Sequence, residues 1–335
     1  VTGHTRPGAT FEAEIRQQPD RWRRIADADA AATLAARVHG PPVLFVGSGS
    51  SLFVAQLAAL AFRRHGARAI ALAATEARFD RLAESGATVV AFSQSGASAD
   101  LLAALDILRP GTLVAVTNDS ASPLAARADD VIDILAGPER AVPASKSVTS
   151  MAAIGLWAAS LAGGRDERSA RSLRAVADDV DAWLAGPLDA ITDAAAQMAA
   201  CRGIIVVGAG YAVAVASEIA LKIKEASYVH AEGLPAGEFR HGSSAVLDDS
   251  MALVGIVDEA TRAAVHRPLA EAAERGAGRY AIGARFDGIA PIGPFVAEPF
   301  NVLAWLVAGQ MLALHLGRAR GVDSDAPRGL AKALT

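Results

Sequence analysis

Cysteine is almost missing from this chain: Cys201 is the only one in 335 residues, which excludes an internal disulfide framework and any cysteine-rich metal site. Neither sign of charge dominates, with 32 basic against 36 acidic residues and no charge block, so a nucleic-acid partner is not expected. The seven histidines show no H-E-x-x-H spacing, and a dedicated metal centre is not expected either. The N-terminal stretch Val1-Thr2-Gly3-His4-Thr5-Arg6-Pro7-Gly8 is polar and lacks an apolar signal core behind it, so the expected location is cytoplasmic. The longest apolar run, residues 300–316, is broken by Asn301, Gly309, Gln310 and His315 and is short for a membrane span. It predicts a buried helix at the core or at a subunit interface, with no membrane partner. A G-x-S-x-G elbow is absent, which disfavours a Ser-His-Asp hydrolase.

What the chain does have is serine at the ends of apolar strands. Val89-Val90-Ala91-Phe92 runs into Ser93-Gln94-Ser95-Gly96-Ala97-Ser98 and then a helix, and Val43-Leu44-Phe45-Val46 runs into Gly47-Ser48-Gly49-Ser50-Ser51 and the apolar helix 52–62. The first N–H groups of a helix lack intrahelical partners and carry the positive end of its dipole, so hydroxyls gathered there favour a phosphate. A single such loop would be explained by ordinary N-capping. Two of them, six serines in all, predict a phosphate held without a lysine. A dinucleotide cofactor is the natural competitor, but Leu52 stands where G-x-G-x-x-G requires a third small residue, and no cofactor is expected.

The chain also resembles itself. Pro42-Val43-Leu44-Phe45-Val46-Gly47-Ser48-Gly49 recurs as Gly203-Ile204-Ile205-Val206-Val207-Gly208-Ala209-Gly210, each followed by an alanine-rich helix. Apolar strands at 69–73, 88–92, 113–117 and 131–135 alternate with helical stretches in the first half, and 204–207, 252–257 and 279–282 repeat the pattern in the second. The predicted fold class is α/β, with two doubly wound parallel-sheet domains related by an internal repeat. The expected boundaries are an N-terminal helical segment over 1–35, a first domain over 36–185, a second over 186–320 and a C-terminal tail over 321–335. The loop Gly208-Ala209-Gly210-Tyr211 contains no serine, so only the first repeat is expected to bind phosphate.

In place of serines the second repeat has a charged helix. Glu218, Lys222 and Glu225 are spaced four and three apart and share one helix face. A solvated ion-pair stripe is the ordinary outcome of such spacing, but a helix that follows the glycine turn of a βα unit is expected to face the ligand crevice. Downstream, His230-Ala231-Glu232-Gly233-Leu234-Pro235-Ala236-Gly237-Glu238-Phe239-Arg240-His241-Gly242 is read as a Gly/Pro-punctuated loop with two histidines among carboxylates, suited to proton transfer.

With these segments in view, the chain resembles the double sugar-isomerase (SIS) domain family, which includes the isomerase half of glucosamine-6-phosphate synthase and its stand-alone relatives. The resemblance covers nearly the whole chain. It is carried by Glu14-Ile15-Arg16-Gln17-Gln18-Pro19, the two serine loops, Ala144-Ser145-Lys146-Ser147, Leu221-Lys222-Ile223-Lys224-Glu225, the 230–242 stretch and Pro327-Arg328-Gly329-Leu330-Ala331-Lys332. It implies that Ser48, Ser50, Ser51, Ser93, Gln94, Ser95 and Ser98 hold a sugar phosphate and that Val142 and Ala144 line the sugar. It further implies that Glu225 moves a proton between C1 and C2 with Lys222 beside it. His241 would open the ring from the adjoining subunit of a homodimer, and Lys332 would close over the sugar in a tail able to form a Schiff base with the ketose.

Two departures are visible: Ala97 stands where the synthases have glutamate, and Ser243 where proline usually follows His-Gly. No glutaminase-type segment precedes residue 14, so ammonia drawn from glutamine is not expected. The resemblance implies isomerisation with deamination of an amino-sugar phosphate, glucosamine 6-phosphate giving fructose 6-phosphate and ammonia. Alternatives are a simple aldose–ketose phosphate isomerase, a deglycase of fructosamine-type phosphates and a sugar-phosphate sensor without turnover. Against the sensor stand the absence of a helix-turn-helix pattern before Val43 and the presence of Glu225, His241 and Lys332.

Overall fold

A computed structural model describes residues 6–332 apart from 29, 41, 80–85, 165, 287 and 297, with the backbone only at 166–168. In chain order the elements are α1 (Ala9–Arg16), α2 (Gln18–Ala28), α3 (Ala32–Arg37), β1 (Val43–Gly47), α4 (Ser50–Arg64), β2 (Ala69–Ala73), β3 (Thr88–Ser93), α5 (Ala99–Leu108), β4 (Thr112–Thr117), β5 (Asp130–Asp133), α6 (Lys146–Ala162) and α7 (Asp166–Ala185). There follow α8 (Asp189–Met198), β6 (Gly203–Gly208), α9 (Ala212–Ser227), β7 (His230–Pro235), β8 (Met251–Val257), α10 (Arg262–Glu274), β9 (Gly278–Gly283) and α11 (Asn301–Ala319). The chain divides into two compact units, one of residues 20–139 and 146–177, the other of residues 6–19, 140–145 and 178–332.

The first unit contains a parallel sheet in the order β2-β1-β3-β4-β5. Its central strands read as unbroken apolar runs because both faces are covered: every residue of β1 is buried, as is β3 from Val89 to Ser93. Phe45 of β1 packs between Phe62 of α4 and Phe92 of β3, with ring centroids 5.5 and 6.3 Å away. After β1 the chain steps outward to β2 and then returns to the other side of β1 for β3. That reversal opens a crevice beyond the carboxyl ends of β1 and β3, where open α/β sheets receive ligands.

The second unit repeats the plan with β7-β6-β8-β9, again all parallel. The two glycine turns make the same close approach to their helices. A Cβ on Gly47 would lie 2.5 Å from the Ser51 backbone, and one on Gly208 would lie 2.4 Å from the Ala212 carbonyl oxygen, so each strand end needs glycine to meet its helix. The second glycine of each pair, Gly49 and Gly210, has positive φ, 55° and 58°.

Two expectations differ from the structure. Residues 230–235 are not loop: they form β7, paired in parallel along β6 from Gly203↔His230 to Gly208↔Pro235. The strand is the edge of its sheet and ends on its proline, which is where a sheet tolerates a residue without an N–H. Gly233 lets it lie against α9, since a Cβ there would meet the Ala216–Ser217 backbone at 2.4–2.5 Å. The first sheet's strand ends at Asp133, and Leu135, expected within it, instead has φ 56°. Helix α11 is long and apolar enough to cross a membrane by length and composition, but 89% of that stretch is buried within the protein, as expected of a core helix.

Candidate functional site

In the first unit the two serine loops follow β1 and β3 and therefore flank the same crevice. Loop 93–98 is built to present hydroxyl protons. The Ser93 Oγ accepts the Gly96 N–H at 3.1 Å and the Ser95 Oγ accepts the Ala97 N–H at 3.2 Å, and each hydroxyl keeps its own proton to donate. The loop is fixed from the next strand end: the Asn118 N–H donates to Gln94 O (3.1 Å) and the Leu124 N–H to Gly96 O (2.9 Å). Gly96 has φ 59°, and a Cβ there would sit 2.0 Å from Ser122 Oγ.

The capping alternative for these serines does not hold. Gly49 occupies the N-cap of α4, and Ser98, the N-cap of α5, makes no side-chain cap bond. Ser48 Oγ is buried without a hydrogen-bond partner, an unmet requirement that a ligand in the crevice would satisfy. Ser50, Ser51, Gln94, Ser95 and Ser98 are all partly exposed at the ends of these strands. The equivalent loops of the second unit differ: beyond β8 the Asp258 carboxylate accepts the Thr261 N–H and hydroxyl (2.7 and 2.8 Å), placing an anion where the first unit offers hydroxyls.

The charged face of α9 is not a solvated stripe. The Lys222 side chain is 1% exposed, with its ammonium 2.5 Å from Glu225 Oε2 and 3.5 Å from Glu218 Oε1; the Glu218 side chain is 2% exposed and that of Glu225 19%. The helix packs against β6, β7 and α11, which covers its inner turns and leaves Glu225, near the C-terminal end, partly open. A lysine keeps its charge at such burial only because two carboxylates accompany it. Glu225 is thus a carboxylate on a rigid helix, oriented by a buried ammonium.

Val142 and Ala144, both half-buried, lie in the segment leading to α6. Its backbone is held by a residue the sequence reading used only as a marker: the Glu14 carboxylate accepts the Arg140 N–H (2.6 Å) and the Ala141 N–H (3.2 Å). Gln18 donates to Gln310 Oε1 (2.7 Å), and Gln310 in turn reaches Ser145 O (3.5 Å). Within the first unit, Glu139 accepts the Ser147 N–H and hydroxyl at 3.0 and 2.6 Å at the start of α6. Nothing in the local sequence around these buried polar side chains marked their partners, which lie far along the chain or beyond the start of the next helix.

His241 is exposed at the end of a short 3-10 turn, Glu238–Arg240, its N–H bonded to Glu238 O (2.9 Å). Lys332 is half-buried. The tail leading to it is anchored to the residue that ends α9: the Arg328 N–H donates to Tyr228 Oη (2.6 Å), and the Arg328 guanidinium lies 4.3 Å from the Tyr228 ring centre. Further back, the Asp323 and Asp325 carboxylates accept the Gly8, Thr10 and Phe11 N–H groups at the start of α1 (2.7–2.8 Å). Among the described residues no group of His, Cys, Asp and Glu is arranged to hold a metal ion.

Two doubly wound halves, one with a hydroxyl-lined crevice and one with a buried carboxylate–ammonium helix, define an α/β protein of duplicated architecture. The SIS domain matches residues 41–161 and 197–286, and the chain belongs to that family. It is similar to the isomerizing glutamine–fructose-6-phosphate aminotransferase of Gloeobacter violaceus, 36% identical over 269 residues, covering 74% of this chain and 44% of that protein. The corresponding protein of Pyrobaculum aerophilum is 31% identical over 346 residues, covering 96% and 56%. The chain thus spans about half the length of the curated relatives it matches. Among solved structures, the C-terminal domain of glucosamine-fructose-6-phosphate aminotransferase from Francisella tularensis superposes with a TM-score of 0.81 at 23% identity, covering 95% of this chain and 98% of that one. A glucosamine-6-phosphate deaminase from Thermotoga maritima superposes with a TM-score of 0.79 at 23% identity, covering 97% and 99%. These two likenesses establish the fold.

Proposed function

We propose that this chain is a phosphosugar isomerase and deaminase that converts glucosamine 6-phosphate and water to fructose 6-phosphate and ammonia. The observation that carries the reading is loop 93–98, where the Ser93 and Ser95 hydroxyl oxygens accept backbone N–H groups and each keeps its O–H as a donor at the strand ends, which supports a phosphate there. In this reading Ser48, Ser50, Ser51, Gln94 and Ser98 complete the phosphate cup, and Val142 and Ala144 line the sugar. Binding energy from the phosphate, remote from the reacting carbons, positions C1 and C2.

His241 opens the ring. Glu225 removes the C2 proton of the open-chain aldose to give an enolamine and returns a proton to C1, leaving an imine at C2. Water adds to that imine and ammonia leaves. Lys222 holds the carboxylate in its working orientation at 2.5 Å, and Lys332 closes with the tail. The active unit is a homodimer in which each subunit lends His241 to the other.

A panel of amino-sugar and ketose phosphates, followed both for ammonia release and for sugar interconversion, tests this. Ammonia from glucosamine 6-phosphate supports the proposal; interconversion without ammonia replaces it with a simple isomerase, ammonia-free cleavage of fructosamine phosphates with a deglycase, and binding without turnover with a sensor.

A further inference from the structure

Away from the serine loops, the second unit has a cavity of about 370 Å³ between α10 and the 3-10 turns Glu238–Arg240 and Ser243–Val246, lined by Arg240, Ser244, Arg267, Glu271, Glu274 and Arg275. Its size falls within the range of small-ligand sites. Arg275 is committed to Glu271, Nη2 to Oε1 at 2.9 Å. Arg240 and Arg267, both exposed, have no hydrogen-bond or carboxylate partner among the described residues, so two guanidinium groups from different elements line one hollow with their donors uncommitted.

We propose that this cavity binds a small phosphorylated metabolite, distinct from the sugar phosphate of the serine crevice. Two guanidinium groups and the Ser244 hydroxyl supply two positive charges and several donors, which suit the near-double charge and three terminal oxygens of a phosphate monoester better than the single charge of a carboxylate. Glu274, in the same wall, accepts from a hydroxyl or ammonium on the rest of the ligand, and with Glu271 it disfavours a nucleic-acid backbone.

The position gives binding a consequence. Arg240 and Ser244 bracket His241 and Gly242, and Gly242 has φ 127°, a conformation open to glycine. A phosphate tied to both residues and to Arg267 on α10 clamps the segment that carries His241. This effect on turnover rests on the proposed role of His241; the binding site itself does not.

The test is calorimetric titration with inorganic phosphate and with a short phosphorylated amino alcohol. In the Ser93→Ala/Ser95→Ala protein, which loses the crevice site, one phosphate site is expected to remain, tighter for the amino alcohol phosphate than for inorganic phosphate. Arg267→Ala and Arg240→Ala, each made in that background, are expected to weaken it at least tenfold, with Arg267→Lys intermediate. Arg267→Ala in the otherwise native protein leaves the crevice site and the ligand-free rate unchanged. In parallel, acylation of His241 by diethylpyrocarbonate, identified by mass, slows severalfold when the remaining site is filled. Absence of a second site, unchanged affinity in Arg267→Ala, or equal displacement by chloride at matched ionic strength overturns the proposal. A protein that binds phosphate at this cavity but turns over no sugar overturns only the catalytic reading.

Discussion

Replacing Lys222 by methionine removes the one positive charge from a site in which Glu218 is 2% exposed and cannot recover water. Breaking a buried ion pair by deleting one partner costs about 3–5 kcal/mol, because the other charge stays behind uncompensated. Glu225, 19% exposed, regains solvent and adds little. Against a total stability of about 5–15 kcal/mol, the loss is a large fraction. At roughly 2–4 °C per kcal/mol for a domain of this size, the midpoint is expected to fall by about 6–20 °C in scanning calorimetry. The second half of a double-mutant cycle makes the argument specific. Glu218→Gln on the Lys222→Met background deletes the stranded charge and is expected to recover at least about 1.5 kcal/mol, since neutral replacements of buried ion pairs are often near neutral. A Lys222→Met loss below about 1 kcal/mol, or a coupling within about 0.5 kcal/mol of zero, would refute the view of Lys222 as a buried counter-ion shared by two carboxylates.

Ser93→Ala/Ser95→Ala is expected to raise KM for phosphorylated sugars at least tenfold, measured by steady-state kinetics; an unchanged KM places the phosphate elsewhere. Glu225→Gln should abolish exchange of the C2 hydrogen with solvent deuterium while sugar-phosphate binding persists, whereas Lys332→Ala should weaken capture and turnover together yet retain some exchange. If Glu225→Gln exchanges normally, Glu232 and Glu238 become the next bases to test. Mixing inactive Glu225→Gln with inactive His241→Ala is expected to restore part of the activity through hybrid sites, and no recovery after proven subunit exchange would count against shared sites. Burial and the Arg318 charge hold the His315 imidazole below its usual range; the folded chain then stays neutral there while the unfolded chain takes up a proton below about pH 6.5, so stability should decline as pH falls through that value, and less so in His315→Gln.

The repeat, the parallel sheets and the serine loops were legible in the sequence because they rest on strong local signals: apolar runs ending in Gly-x-Gly or Ser-x-Ser at the start of a helix. The face shared by Glu218, Lys222 and Glu225 follows from helix period alone, but its burial does not. That depends on α11, a helix some eighty residues downstream, lying over α9. β7 was missed because Gly233 and Pro235 are loop residues by local preference; their fitness for an edge strand is set by the neighbouring backbone of α9 and by having pairing on one side only. Glu14, Gln18 and Gln310 illustrate the same limit. Each is a buried polar residue on a helix whose partner lies more than a hundred residues away: Glu14 holds Arg140 and Ala141, Gln18 holds Gln310, and Gln310 reaches Ser145.

The anchoring of Arg328 on Tyr228 fixes how far Lys332 can search. Lys332 lies four positions beyond Arg328, a span of at most about 14 Å when fully extended, and the lysine side chain adds roughly 6 Å by the same bond geometry. The ammonium is therefore confined within about 20 Å of the Arg328 N–H, which the Tyr228 hydroxyl holds beyond the end of the helix that bears Glu225. One amine in such a volume corresponds to an effective concentration on the order of tens of millimolar. Under the proposed role of Lys332, the tail would act as a short-tethered reagent whose local dose is set by the Tyr228 anchor and is independent of how much protein is in solution.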